Sequence, residues 1–140
     1  MTLGALVVAC GDDGGTSPAG APTAHVQVTV LNYAFAPDTV TVPAGAEVTI
    51  TVTNDADQAH NWVLLSAGPL ITAEDARDER DVIIDLLAAV SDRVIVNVLA
   101  GSQAEQQGTF TAPSAGTYQV ICTFGRHLGF GMEGTLVVEG

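Results

Sequence analysis

The chain has 140 residues, enough for one domain with a sizeable core, and it sets 16 acidic residues against 4 arginines and no lysine, for a net charge of −12. That balance excludes nucleic acid as a partner, because phosphates demand basic contacts, and it excludes adhesion to anionic membranes through a basic face. What remains is solubility and attraction to basic partners, so function must be read from elements and motifs.

The first residues read as processing. The apolar run Leu3–Ala9 in "LGALVVAC" is too short to cross a bilayer, which takes about 20 residues. Its "VVAC" end resembles a bacterial lipobox, with residues 1–9 as signal peptide and Cys10 as the lipidated residue. Residues 10–24, "CGDDGGTSPAGAPTA", are rich in Gly, Pro, Ser and Asp, and they read as a flexible tether that cannot bury enough apolar surface to order itself. The expected protein is therefore exported, in the periplasm or on the outer face of the cytoplasmic membrane, and its only membrane contact is that anchor. Residues 25–140 read as one domain, with His25 as a surface residue of its first strand.

From there, period-two alternation dominates. "HVQVTVLN", "DTVTV" and "AEVTITVTN" put Val and Ile on one face and Thr, Gln and Glu on the other, and "VPAGAEV" supplies Pro and Gly for a turn. "HNWVLLS", "RVIVNVLAG", "GTFTAP", "GTYQVICTF" and "GTLVVEG" extend the series to about eight short strands, the pattern of an all-β sandwich. One segment breaks it. Ile83, Leu86, Leu87 and Val90 recur at helical spacing, and Thr72 with Asp75 is a candidate capping box, so a helical insertion is expected over residues 73–90.

The chemistry concentrates near the C-terminus. In "YQVICTFGRHLGFGMEGTLVVEG", Cys122, His127 and Met132 follow one another with four residues between each pair. Taken singly, a cysteine is often a small buried hydrophobe and a methionine core filler. Together, thiolate, imidazole and thioether select copper over magnesium, calcium or manganese, and two histidines with a cysteine and a weak axial methionine make a blue-copper site. His60, in "QAHNWVLL", is the candidate for the second histidine. A short loop held between two paired strands brings three ligands together at little extra entropy. A Cys10–Cys122 disulfide is the competing use of the thiols, but it would staple a tether rather than a fold.

"HNWVLL" and "CTFGRHLGFGMEGTLVV" resemble the copper-binding segments of cupredoxins, specifically the azurin and auracyanin branch, and "FAPDTVTVPAGAEVTITVTN" resembles the first sheet of that fold. The likeness runs from His25 to Gly140. It implies a Greek-key β-sandwich with one type 1 mononuclear copper ion, cycling between Cu2+ and Cu+, on His60, Cys122, His127 and Met132. It implies that Asn61 ties the two ligand segments together and gives its backbone N–H to the thiolate, beside Thr123. Where the family usually reads Cys-Thr-Phe-Pro-Gly-His, this chain reads Cys-Thr-Phe-Gly-Arg-His, so Gly125 gains an N–H that a proline lacks and is expected to donate it to the sulfur. Leu128 and Phe130, with Arg126 at their side, are expected to form the partner-docking patch around His127.

The function implied is that of a monomeric electron carrier, not an enzyme, serving cytochromes or membrane oxidoreductase complexes in transient encounters. A copper store or chaperone without electron transfer is the alternative. A multicopper enzyme domain would need more histidines than the one left over, His25.

Overall fold

The computed structural model describes residues 20–72, 74, 75, 82–124 and 126–140. The alternating runs become strands: β1 (Thr23–Leu31), β2 (Ala34–Ala36), β3 (Thr39–Pro43), β4 (Glu47–Asn54), β5 (His60–Leu65), β6 (Val94–Ala100), β7 (Glu105–Thr111), β8 (Gly116–Ile121) and β9 (Glu133–Glu139), with α1 (Val82–Ala89) between β5 and β6. Two sheets face each other, one in the order β2-β1-β4-β7 and the other β3-β9-β8-β5-β6. This is the cupredoxin-type Greek-key sandwich. Each sheet contains one parallel pair: β1 with β4 (Val28 opposite Val52) and β3 with β9 (Val40 opposite Leu136).

Strand β4 shows why the pattern folds this way. Val48, Ile50 and Val52 point inward and are buried, while Thr49, Thr51 and Thr53 on the other face are partly exposed. β-Branched residues suit both roles, because they are stiff and pack well on a pleated surface. The main core gathers Val28, Val30, Ile50, Trp62, Leu64 and Leu136 from both sheets.

Strand β5 departs from alternation, since all six of its residues are buried. Trp62 and Leu64 face the main core, whereas Val63 and Leu65 face a second cluster with Leu86, Val90, Ile121 and Leu128. The insertion carrying α1 therefore covers the outer face of β5 and makes that strand apolar on both sides. Its ends are pinned by side chains. Arg93 donates to the carbonyls of Pro69 (2.8 Å) and Ser66 (3.0 Å), and Gln119 on β8 pairs with both the N–H (2.8 Å) and the C=O (2.7 Å) of Ile71.

The about eight strands expected become nine among the described residues: the added one, β2, is three residues long, too short to display alternation, and it exists by pairing with the end of β1. The described part of the helical insertion is α1, Val82–Ala89; ahead of it Glu74 and Asp75 lie in a turn, where the Asp75 carboxylate takes the Thr72 N–H (2.7 Å) and hydroxyl (3.0 Å). Ala73 and residues 76–81 lie outside the described residues, as do residues 1–19 with Cys10.

Candidate metal centre

Strand β5 begins at His60, and β8 ends one residue before Cys122, so the pairing of β5 with β8 (Val63 opposite Ile121) brings both to the same end of the second sheet. The loop from Cys122 to β9 then folds back over that end. Nδ1 of His60 and Nδ1 of His127 lie 3.1 Å apart, and Sγ of Cys122 is 3.9 Å from the first and 3.5 Å from the second. All three donor atoms fall within 4.8 Å of one another, and all three residues are buried. Cys122 is a free thiol.

Main-chain bonds close the loop and place Met132. Its N–H donates to the His127 carbonyl (3.0 Å), and its carbonyl accepts from the Cys122 N–H (3.3 Å), so the backbone ties Met132 to both His127 and Cys122. The Met132 side chain is fully buried in the core cluster that contains Cys122 and Phe124. A 3-10 turn at Leu128–Phe130 is capped by Gly131 at φ +95°, a conformation glycine adopts freely, with its N–H on the Leu128 carbonyl (2.9 Å).

Burial sets the protonation states. It pushes the His60 imidazole below its ordinary 6.5, and burial with the neighbouring His60 takes His127 down to about 4, so both rings are neutral at pH 7 with a lone pair to offer. Burial pushes the Cys122 thiol up, against which the backbone N–H groups of Asn61 and Phe124 favour the thiolate. Two neutral imidazoles, a thiol with N–H donors waiting for its charge, and an apolar wall with a thioether fit a soft metal such as copper.

A sequence profile of copper-binding proteins of the plastocyanin/azurin family matches residues 23–139. The chain belongs to that family. It is 36% identical to auracyanin-A of Chloroflexus aurantiacus over 99% of this chain and 93% of that one. Among solved structures, the dithionite-reduced auracyanin of Roseiflexus castenholzii superposes with a TM-score of 0.69 at 29% identity, covering 86% of this chain and all of that one. Auracyanin A of C. aurantiacus, a "blue" copper protein, gives 0.67 at 32% identity, with 84% and 99% covered. The cofactor of this cupredoxin is accordingly one copper ion in a type 1 site, with His60, Cys122 and His127 as candidate ligands and Met132 nearby.

Around the donors, Asn61 and Thr123 lock the two ligand segments together. The Asn61 amide donates to the Thr123 hydroxyl (2.7 Å) and accepts from the Thr123 N–H (2.8 Å), and both residues are buried. The second N–H on the sulfur belongs to Phe124, while Gly125, expected in that role, lies outside the described residues.

The expected docking patch divides. Phe130 is 59% exposed and Arg126 is exposed beside His127, which shows only 8% of its surface. Leu128 is corrected from patch to core: it is 4% exposed and packs with Leu86 and Val90, because the 3-10 turn aims it at the cluster under α1. His25 is exposed on β1.

Two contributors went unread in the sequence. Asn54, at the end of β4, is buried and donates to the carbonyls of Gln58 (2.8 Å), Ala100 (3.0 Å) and Gly101 (3.1 Å) while accepting from the Ala56 N–H (2.8 Å). It therefore shapes the loop that delivers His60. An Asn closing a strand before "DADQAH" was the available signal, since Asx side chains organise the turns that follow them. Tyr33, between β1 and β2, packs against both imidazoles, and nothing in its local sequence marks it.

Proposed function

We propose that this chain carries single electrons between larger redox proteins, with its copper held by His60, Cys122, His127 and Met132. The observation that carries the reading is the convergence of three buried soft and borderline donors within 4.8 Å, from one strand start and one stitched loop. When bound, copper supplies the one-electron Cu(II)/Cu(I) couple. The polypeptide does the rest. The N–H groups of Asn61 and Phe124 support a charged sulfur, burial keeps both imidazoles unprotonated, and Met132 with the core around it keeps water out. A loop tied by main-chain bonds at Cys122, His127 and Met132 moves little when the charge changes, which keeps the barrier to exchange low.

Electrons would enter and leave by the His127 edge, beside exposed Phe130. The partners would be cytochromes or membrane oxidoreductase complexes, met through a small, short-lived interface, and the net charge of −12 would favour basic faces on them. The likeness to a blue copper protein of a photosynthetic bacterium supports a carrier rather than an enzyme. The place of work would be outside the cytoplasm, as a monomer anchored by lipid on Cys10; detergent-phase partition of the wild type and of Cys10→Ala tests that anchor.

The deciding experiment is a visible absorption spectrum after adding Cu(II), beside Cys122→Ser. An intense thiolate-to-copper band that mild reductant bleaches reversibly, and that the variant lacks, is expected. A colourless protein would overturn the reading, and copper exchanging within seconds would favour a store or chaperone.

A further inference from the structure

Tyr33 sits in the two-residue connection between β1 and β2, where Leu31 pairs with Ala34. Its φ of +64° is left-handed, at the second central residue of a tight turn, a place ordinarily taken by Gly or Asn. Asn32 stands next to it, so a relaxed turn was one exchange of neighbours away. A bulky residue held in that conformation points to something its side chain does.

The ring reaches three others. It meets His127 edge-on at 5.1 Å and 65°, His60 at 6.4 Å and 87°, and Phe130 at 4.7 Å and 53°. The two imidazoles themselves lie 4.6 Å apart at 44°. All these separations fall in the range where edge-to-face and tilted aromatic pairs attract. The four rings come from three segments: the β1–β2 turn, the start of β5 and the ligand loop.

A metal-bound histidine ordinarily has its ring plane fixed by a hydrogen bond from the nitrogen that does not face the metal. His60 has none: its Nε2 is buried with no hydrogen-bond partner among the described residues. Its orientation must come from packing, and Tyr33 packs against its edge.

We propose that Tyr33 is a positioning residue of the copper site, its ring held by the left-handed turn so that it fixes the planes of His60 and His127 and the stance of Phe130. The role rests on the reading of both histidines as ligands. It belongs to the ring, not the hydroxyl, so Tyr33→Phe keeps it. Tyr33→Asn loses it while retaining a residue suited to the turn.

The test has two readouts on the full chain, with folding checked by circular dichroism. In metal-free protein, 15N spectra of the imidazoles should show His60 and His127 sharp in wild type and in Tyr33→Phe, but broadened or doubled in Tyr33→Asn. In copper-loaded protein, Tyr33→Asn should release copper to a chelator roughly tenfold faster and broaden the copper EPR lines, with Tyr33→Phe close to wild type. If Tyr33→Asn folds poorly, Tyr33→Gly carries the same comparison, since glycine takes that φ without strain. Imidazole lines and copper release unchanged in the ring-less variant would overturn the proposal, as would Tyr33→Phe behaving like Tyr33→Asn. A wild type that binds no copper would sink the ligand reading instead, and the metal-free spectra would still decide whether Tyr33 orders the rings.

Discussion

Replacing Asn61 by leucine, which is close to it in volume, tests whether two segments 62 residues apart are held by one amide. The substitution removes both side-chain bonds to Thr123 and leaves the Thr123 N–H and hydroxyl buried without their partner. Each such orphaned group costs about 1–3 kcal/mol, so the expected loss is about 2–6 kcal/mol. For a domain of this size that lowers the melting temperature by roughly 10 °C. The measurement is urea unfolding of the metal-free protein, because a bound metal would add its own stabilisation and mask the difference. Thr123→Val keeps the N–H but removes the hydroxyl, so a double-mutant cycle with Asn61→Leu should return a coupling of about 1 kcal/mol. A loss under about 0.5 kcal/mol for Asn61→Leu would place the amide among ordinary surface substitutions and refute the argument.

Leu128→Ala should cost about 2–5 kcal/mol in the same assay, as truncation of a core leucine does, whereas Phe130→Ala should stay within about 0.5 kcal/mol of wild type yet slow electron exchange with a redox partner; the reverse order would restore Leu128 to the docking surface. Asn54→Ala should destabilise by about 2–4 kcal/mol, since the carbonyls of Gln58 and Ala100 and the Ala56 N–H lose their partner, and melting of the metal-free protein would register it. The metal-free protein should also lose stability as pH falls from about 6.5 towards 4. There the unfolded chain takes up protons that folded His60 and His127 refuse, and the loss from His127 is at most about 3 kcal/mol. At the alkaline end the sign reverses for Cys122, whose raised folded value costs stability once pH exceeds the ordinary thiol range; denaturant titrations across pH that stay flat at both ends would count against the burial argument.

The parts of the molecule legible in the sequence are those whose physics is local. Alternation in "AEVTITVTN" exposes one face and buries the other within a single strand, so the run declares itself. The spacing of Cys122, His127 and Met132 is readable because one loop carries all three residues. What stayed hidden depends on partners distant in the chain. β2 is a strand only because β1 runs beside it, and "HNWVLL" abandons alternation because α1 covers its second face. Leu128 looked like patch for the same reason: within "RHLGFGM" nothing says which apolar residue the 3-10 turn will aim inward. Tyr33 was hidden doubly, since its conformation runs against its residue type and its contacts all lie beyond the next strand.

The insertion and the metal centre are coupled through that leucine. Leu128 belongs to the loop that carries His127 and Met132, yet its side chain is committed to Leu86 and Val90 of the inserted segment. The insertion in turn is fastened to β8 by Gln119, three residues before Cys122. The ligand loop is thus braced from below by packing on Leu128 and from within by the Met132 main chain, while Tyr33 closes on it from the opposite sheet. Bracing from several directions restricts a loop more than any one contact does, because each remaining motion must break a different interaction. With Leu128 spent on the core, Phe130 stays exposed beside His127, and the Tyr33 ring packs against it at 4.7 Å.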